Sequence, residues 1–173
     1  MHTHAKLPTR DRVIIGLLIF FLIIAFSLEL YWIIFRYELV ARADHEWMAY
    51  LFKIYGDADR AYYDQVTPFS SSLEIINVAI TQWLNVWLII AIVKRHYYRY
   101  ALQLTVGSYL AYSVVLYFWV AHIDGYAAMR YQSFYTYFMF YVPNFPWLFG
   151  YAYMAYDAIV AICRRFAPSY DRS

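Results

Sequence analysis

Hydrophobic positions in this chain run in long blocks instead of alternating. Val13 to Phe35 has Glu29 as its only charge, and Phe69 to Val93 has only Glu74. Tyr100 to Ala121 has no charge, and Phe134 to Ile162 has only Asp157. Each block exceeds the ~20 residues a helix needs to cross a hydrocarbon core of about 30 Å. None shows the period of two that marks membrane strands. The pattern therefore predicts an all-α membrane protein, a four-transmembrane-helix bundle with spans at 13–35, 69–93, 100–121 and 134–162. The intervening 36–68 loop is rich in Tyr and predicts a cap of short helices over one end. Pro68 followed by Ser70, Ser71 and Ser72 reads as a helix start with a serine N-cap. Pro143 and Pro146 predict a bend in the fourth block, because proline removes backbone donors.

Charge placement orients the bundle. Four spans put the N-terminus, the loop around residue 95 and the C-terminus on one side. That side carries Lys6, Arg10, Arg12, Lys94, Arg95, Arg99, Arg164, Arg165 and Arg172, nine of the fourteen basic residues. The other side carries seven acids, among them Asp57, Asp59 and Asp64. The positive-inside rule then makes both termini cytosolic. Composition agrees with a lipid solvent: 64% of residues are hydrophobic and 15% charged, against about a quarter charged in a soluble domain. The 173 residues form one domain, 1–173. The single cysteine, Cys163, excludes an internal disulfide or a cysteine-based zinc site. His2 and His4 sit in a tail, and His45, His96 and His122 lie outside the middle of any block, so no metal site is expected. A net charge of +2 gives no ground for a nucleic-acid partner. Five scattered glycines do not form a phosphate-binding loop.

A carboxyl in hydrocarbon is costly unless it faces a cavity or a partner. Glu29 lies six residues from the non-cytosolic end of its block, and Glu74 five from the same end of the next. At 1.5 Å per residue both sit about 8–9 Å deep. Antiparallel helices can bring them to one level, where one holds a proton and the other does not, as acid–base chemistry requires. Each could instead bond a neighbouring helix. Asp157, within two turns of Arg164, reads as structural. Glu74, Asn77, Thr81 and Asn85 follow one helical face. Tyr109 and Tyr112 in the third block, and Tyr137, Tyr141, Asn144 and Trp147 in the fourth, continue polar stripes. Such stripes either bond helix to helix or line a pocket of aromatic faces. Those faces attract cations and suit a rigid apolar substrate. An acid and a base in such a pocket are what carbocation chemistry on a lipid needs.

Several segments occur in a familiar order. They are Lys53-Ile-Tyr55, Asp59-Arg-Ala-Tyr62-Tyr63, Leu73-Glu74 and Leu102-Gln-Leu-Thr-Val-Gly-Ser-Tyr109. Val115-Leu-Tyr-Phe118, His122-Ile-Asp-Gly-Tyr126, Asn144-Phe-Pro-Trp147 and Asp157-Ala158 follow. Over Ser27 to Ile162 the chain resembles the emopamil-binding protein family, the sterol Δ8–Δ7 isomerases that share the EXPERA domain with the sigma-2 receptor. The resemblance implies a four-helix bundle of the endoplasmic reticulum, a homodimer, holding a flat polycyclic lipid and shifting a double bond through a carbocation. It implies Glu74 as the second-helix acid and Glu29 as the first-helix glutamate, reached across a one-residue gap. Asn144 and Trp147 would be pocket residues, with Trp147 facing the cation, and Tyr55 and Tyr63 would stand near the pocket mouth. The family carries a histidine one turn before the first-helix glutamate, where this chain has Ala25, and a glycine after it, where this chain has Leu30.

The reading is thus a membrane isomerase or cyclase acting on a sterol-like, terpenoid or other polycyclic hydrophobic substrate, with no cofactor, since proton movement is redox-neutral. Glu74 and Glu29 are the catalytic candidates. Asn77, Thr81, Tyr55, Tyr63, Tyr112, Tyr141, Asn144 and Trp147 are the binding candidates. A non-catalytic receptor for sterols or amphiphilic amines and an accessory scaffold remain the alternatives.

Overall fold

The structure, a computed structural model, describes residues 7–166, and no strand occurs among them. Helix α1 runs Thr9–Phe35 and contains a π-helical turn at Ala25–Glu29. Two short helices, α2 (Leu39–Arg42) and α3 (Trp47–Tyr55), and a 3₁₀ turn at Arg60–Tyr62 form the expected cap. Helix α4, Pro68–Val93, contains a second π turn at Asn77–Thr81, and α5 is Arg99–Ile123. Helix α6 (Phe134–Tyr141) passes through a 3₁₀ turn, Val142–Asn144, into α7 (Phe145–Phe166). Helices α1, α4 and α5 are each long and apolar enough to cross a membrane.

The break between α6 and α7 falls at the two prolines. Pro143 lies inside the 3₁₀ turn and Pro146 in the first turn of α7, where a missing N–H leaves nothing unpaired. The start of α4 differs from expectation in one respect. Pro68 occupies the first helical position, so the cap is the residue ahead of it, Thr67. Its hydroxyl accepts from Ser70 N–H at 3.1 Å, while Ser70 Oγ accepts from Thr67 N–H at 3.3 Å.

One end of the bundle is packed solid. Leu18 and Phe21 of α1, Leu88 of α4, Val106 of α5 and Tyr151 and Met154 of α7 share a buried core. Gly107 lets α5 and α7 close: a Cβ there would stand 2.7 Å from both the Tyr151 carbonyl oxygen and the Ala155 nitrogen. Both obstacles are backbone, so Gly107→Ala has to push the helices apart. It is expected to cost about 1–3 kcal/mol, seen as a lowered unfolding midpoint in detergent.

The same end carries buried charge. Arg99 donates to both oxygens of Asp11, at 2.9 and 3.2 Å, and Arg10 donates to the Tyr100 hydroxyl at 2.7 Å. Asp157 accepts from Gln103 at 3.1 Å and lies 3.7 Å from Arg10. Its cation partner is thus on α1, not the expected Arg164, because α1 brings Arg10 beside α7. The guanidiniums of Arg10, Arg99 and Arg165 all lie over the Tyr100 ring. The starts of α1 and α5 and the end of α7 therefore meet at one end. His2, His4, Lys6 and Arg172, used in the sequence reading, lie outside the described residues.

At the opposite end two loops are clamped together. Arg60 N–H donates to Ala128 O at 2.9 Å, and Arg130 N–H to Asp57 O at 3.0 Å. Arg130 also pairs with Asp57 at 3.0 Å and with Asp64 at 3.2 Å. The hydrogen bond from Arg60, then the charges of Arg60 and Arg130, hold the Asp64 carboxyl below the usual range. The folded state therefore binds that proton less tightly than the unfolded chain. The stabilisation is present above the ordinary carboxylate range and lost as pH falls beneath that range, through the lowered value of the folded state. Arg130→Ala is expected to lower stability by less than about 1 kcal/mol at neutral pH, as exposed pairs do. The difference from the unsubstituted protein should begin to shrink only as pH falls below about 4 and vanish further down, which thermal unfolding across that range checks.

Candidate functional site

The half of the bundle beneath the clamped loops surrounds a cavity of about 490 Å³, within the range of small-molecule sites. Its wall comes from α1, α3, the 3₁₀ turn at Arg60–Tyr62, α4, α5, α7 and the turn before α7. Both π turns border it. In α1 the turn ends at Glu29, and in α4 it begins at Asn77, one turn beyond Glu74. The two turns touch each other. A π turn carries an extra residue per turn and is common at functional sites. Here it changes which side chains share a face.

Glu29 Oε2 accepts from Asn77 Nδ2 at 2.6 Å. Asn77 Oδ1 accepts from Gln82 Nε2 at 2.9 Å, and Gln82 Oε1 accepts from Asn85 Nδ2 at 2.9 Å. Asn85 also donates to the Tyr151 hydroxyl at 2.9 Å. Every amide in this chain presents its N–H₂ toward Glu29. Glu29 is thus the terminal acceptor of the series. Glu74 is held separately: the Tyr62 hydroxyl donates to its Oε1 at 2.7 Å. The Glu74 Oε2 atom and the Thr81 hydroxyl are buried with no hydrogen-bond partner among the described residues. The cavity thus has polar atoms to offer a ligand.

Tyr62 is set in place by its own neighbours. Its carbonyl accepts from Trp32 Nε1 at 2.9 Å, and the rings of Trp32 and Tyr62 lie 5.1 Å apart. Tyr55 accepts from Asn144 Nδ2 at 3.1 Å and lies 3.0 Å from the Tyr117 hydroxyl, which donates to Asp59 Oδ2 at 2.5 Å. Asp59 is 4% exposed and its other oxygen caps Ala61 N–H. Burial pushes the Asp59 carboxyl up, against the Tyr117 and Ala61 bonds. Burial likewise pushes up the hydroxyls of Tyr55 and Tyr62.

The structure brings Glu29, Glu74, Asn77, Thr81, Tyr55, Tyr112, Asn144 and Trp147 to this one cavity. The Trp147 ring also packs on Phe20 and Phe21, with centroids 5.9 and 5.5 Å away. Tyr63 stands elsewhere. It packs with Trp32 and Leu39 and borders a second, charged cavity beside Lys53 and Arg130. Tyr141 is also outside the lining, 2.7 Å from the Tyr126 hydroxyl in the cluster around Phe140. Tyr62, Tyr117 and Gln82 were not singled out by the sequence as site residues, although Tyr62 falls in the loop segment that resembles the family. Ser72, Ile76, Tyr109 and Tyr112 line the cavity while exposed on the outside of α4 and α5.

Comparison with known proteins fits this architecture. The 3-beta-hydroxysteroid-Delta(8),Delta(7)-isomerase of Cavia porcellus is 27% identical over 124 residues, 71% of this chain and 54% of the relative. The chain thus spans about half the length of this curated relative. The family model EXPERA (EXPanded EBP superfamily) matches residues 47–158. That range holds Tyr55, Tyr62, Glu74, Tyr117, Asn144 and Trp147, while Glu29 lies ahead of it. Matching well over half of the chain, this model shows that the protein belongs to the EXPERA family.

Proposed function

We propose that this protein is an integral-membrane isomerase that shifts a double bond in a sterol-like substrate by acid–base chemistry. The observation that carries the reading is the meeting of Glu74 and Glu29 in one aromatic-walled cavity, each held by its own donor, Tyr62 and Asn77. Glu74 in its acid form gives a proton to one alkene carbon. The positive charge left on the neighbouring carbon faces the rings of Trp147, Tyr55 and Tyr117. Glu29 takes a proton from the next carbon, and that C–H electron pair becomes the new double bond. No electrons enter or leave. The same steps, with attack by a second alkene on the cation, would make a cyclase of a terpenoid substrate.

With this reading go four membrane spans, the fourth formed by α6 and α7, with both termini cytosolic. Residence in the endoplasmic reticulum and a homodimer go with it too, on the strength of the family resemblance. One residue favours a second reading. Ala25, buried in the π turn, stands where the family's histidine is expected, and without it the same carboxyls would serve an amphiphilic-amine receptor. The protein reconstituted in vesicles with a Δ8 3β-hydroxysteroid separates the two. A Δ7 product, or deuterium from heavy water in the recovered steroid, supports the isomerase. Unlabelled steroid together with saturable binding of a cationic amphiphile supports the receptor.

A further inference from the structure

Asp59 is a buried carboxyl for which the mechanism above has no use. It makes no ion pair among the described residues, since Arg60 next to it turns to Asp64. Its one side-chain donor among those residues is Tyr117, which lines the cavity. The hydrogen bonds along this line have a single consistent direction. Asn144 is an amide donor to the Tyr55 oxygen. The Tyr55 proton is then free to point at the Tyr117 oxygen, 3.0 Å away. The Tyr117 proton points at Asp59 Oδ2, 2.5 Å away. The first hydroxyl of the series, Tyr55, itself lines the cavity. A path of two hydroxyls thus leads from the ligand space to a carboxyl that no cation among the described residues neutralises.

We propose that the cavity has a second proton acceptor, Asp59, reached through Tyr55 and Tyr117 in addition to Glu29. This rests on the isomerase reading and extends it. A substrate C–H bond facing Tyr55 breaks, and its electron pair forms the double bond. The proton passes to the Tyr55 oxygen as the Tyr55 proton moves to Tyr117 and the Tyr117 proton to Asp59, which becomes a carboxylic acid. Glu74 has meanwhile become a carboxylate by protonating the alkene, so charge balances. Asp59 acts through the two hydroxyls and is a positioning residue for that transfer. The consequence is a choice of exit for the substrate proton, toward α1 or toward α3 and α5, and hence a means of selecting which double-bond isomer forms.

Two measurements test it, on the full chain in vesicles. The first needs no turnover. Infrared difference spectra across a pH titration identify the Asp59 carboxyl band as the one lost in Asp59→Asn. That band is expected to shift in Tyr117→Phe and also in Tyr55→Phe, although Tyr55 does not touch Asp59. A band unmoved by Tyr55→Phe overturns the path, whether or not the protein acts on steroids. The second uses the Δ8 3β-hydroxysteroid. Tyr117→Phe, which keeps the ring and its packing, is expected to change the ratio of product isomers and to lower kcat by no more than a few-fold while Glu29 remains, with KM within about twofold. Unchanged kcat and product ratio would leave Tyr117 a structural residue and overturn the acceptor role. Absence of steroid turnover by the unsubstituted protein would instead count against the isomerase reading alone.

Discussion

Glu74→Gln is expected to lower turnover of a Δ8 3β-hydroxysteroid by roughly 10²–10⁴-fold, the usual worth of a positioned general acid. Glutamine has nearly the same shape, and its carbonyl oxygen can still accept from the Tyr62 hydroxyl, now 2.7 Å from Glu74 Oε1. The substitution therefore removes the transferable proton while leaving the tyrosine anchored through Trp32. The unfolding midpoint should stay close to that of the unsubstituted protein, and the neutral steroid should still bind. Loss of turnover together with loss of binding would point to a collapsed cavity. Full turnover would place the acid elsewhere. Glu29→Gln should be milder if Asp59 offers a second exit for the proton, and the double change Glu29→Gln with Tyr117→Phe should fall well below either alone. Kinetics of the single and double variants on one substrate decide this, because residues acting as alternatives are non-additive.

The three helices long and apolar enough to cross a membrane, α1, α4 and α5, were legible because lipid demands continuous apolar length, and that demand overrides local propensity. Their ends were less so. Helix α1 begins at Thr9 and not at Val13, since Arg10 and Asp11 find partners in Tyr100, Asp157 and Arg99 that no hydropathy window contains. Matched depth brought out Glu29 and Glu74, and the structure gives both to one cavity. The face assigned from α-helical spacing, Glu74, Asn77, Thr81 and Asn85, missed Gln82. The π turn at Asn77–Thr81 sets residues five apart on one face, and it is Gln82 that bonds Asn77. The one-residue gap in the family resemblance near Glu29 falls at the other π turn, Ala25–Glu29, where a helix takes up one extra residue. Tyr141 failed for a related reason. The 3₁₀ turn at Val142–Asn144 resets the helical phase, so a stripe drawn from Tyr137 and Tyr141 through Asn144 and Trp147 does not hold. Tyr62 and Tyr63 differ by one position in a loop where no period chooses between them. Trp32 makes the choice, by fixing the Tyr62 carbonyl.

Arg99→Met is expected to be the most destabilising single change at the packed end, by about 3–5 kcal/mol, the usual cost of leaving one partner of a buried ion pair alone. Asp11 is 2% exposed, and Arg99 meets both of its oxygens. Arg10 approaches Asp11 only to 3.8 Å and is already bonded to Tyr100, so it offsets little. Methionine retains much of the arginine stem's packing, which isolates the electrostatic part. Asp11→Asn added to Arg99→Met removes the orphaned charge and should recover most of the loss. A failure of the second change to recover stability would mean that packing, not charge, holds this end. Denaturant unfolding in detergent, with both singles and the double, gives the coupling directly. The same experiment separates the two ends of the molecule. The pair lies beyond the solid core of Leu18, Phe21 and Met154, away from the cavity. Arg99→Met should therefore lower the unfolding free energy while leaving the fold-loss caused by Glu74→Gln in turnover unchanged. The cavity end thus holds Glu29 and Glu74 on neutral donors, Asn77 and Tyr62, while the packed end holds Asp11 on a guanidinium.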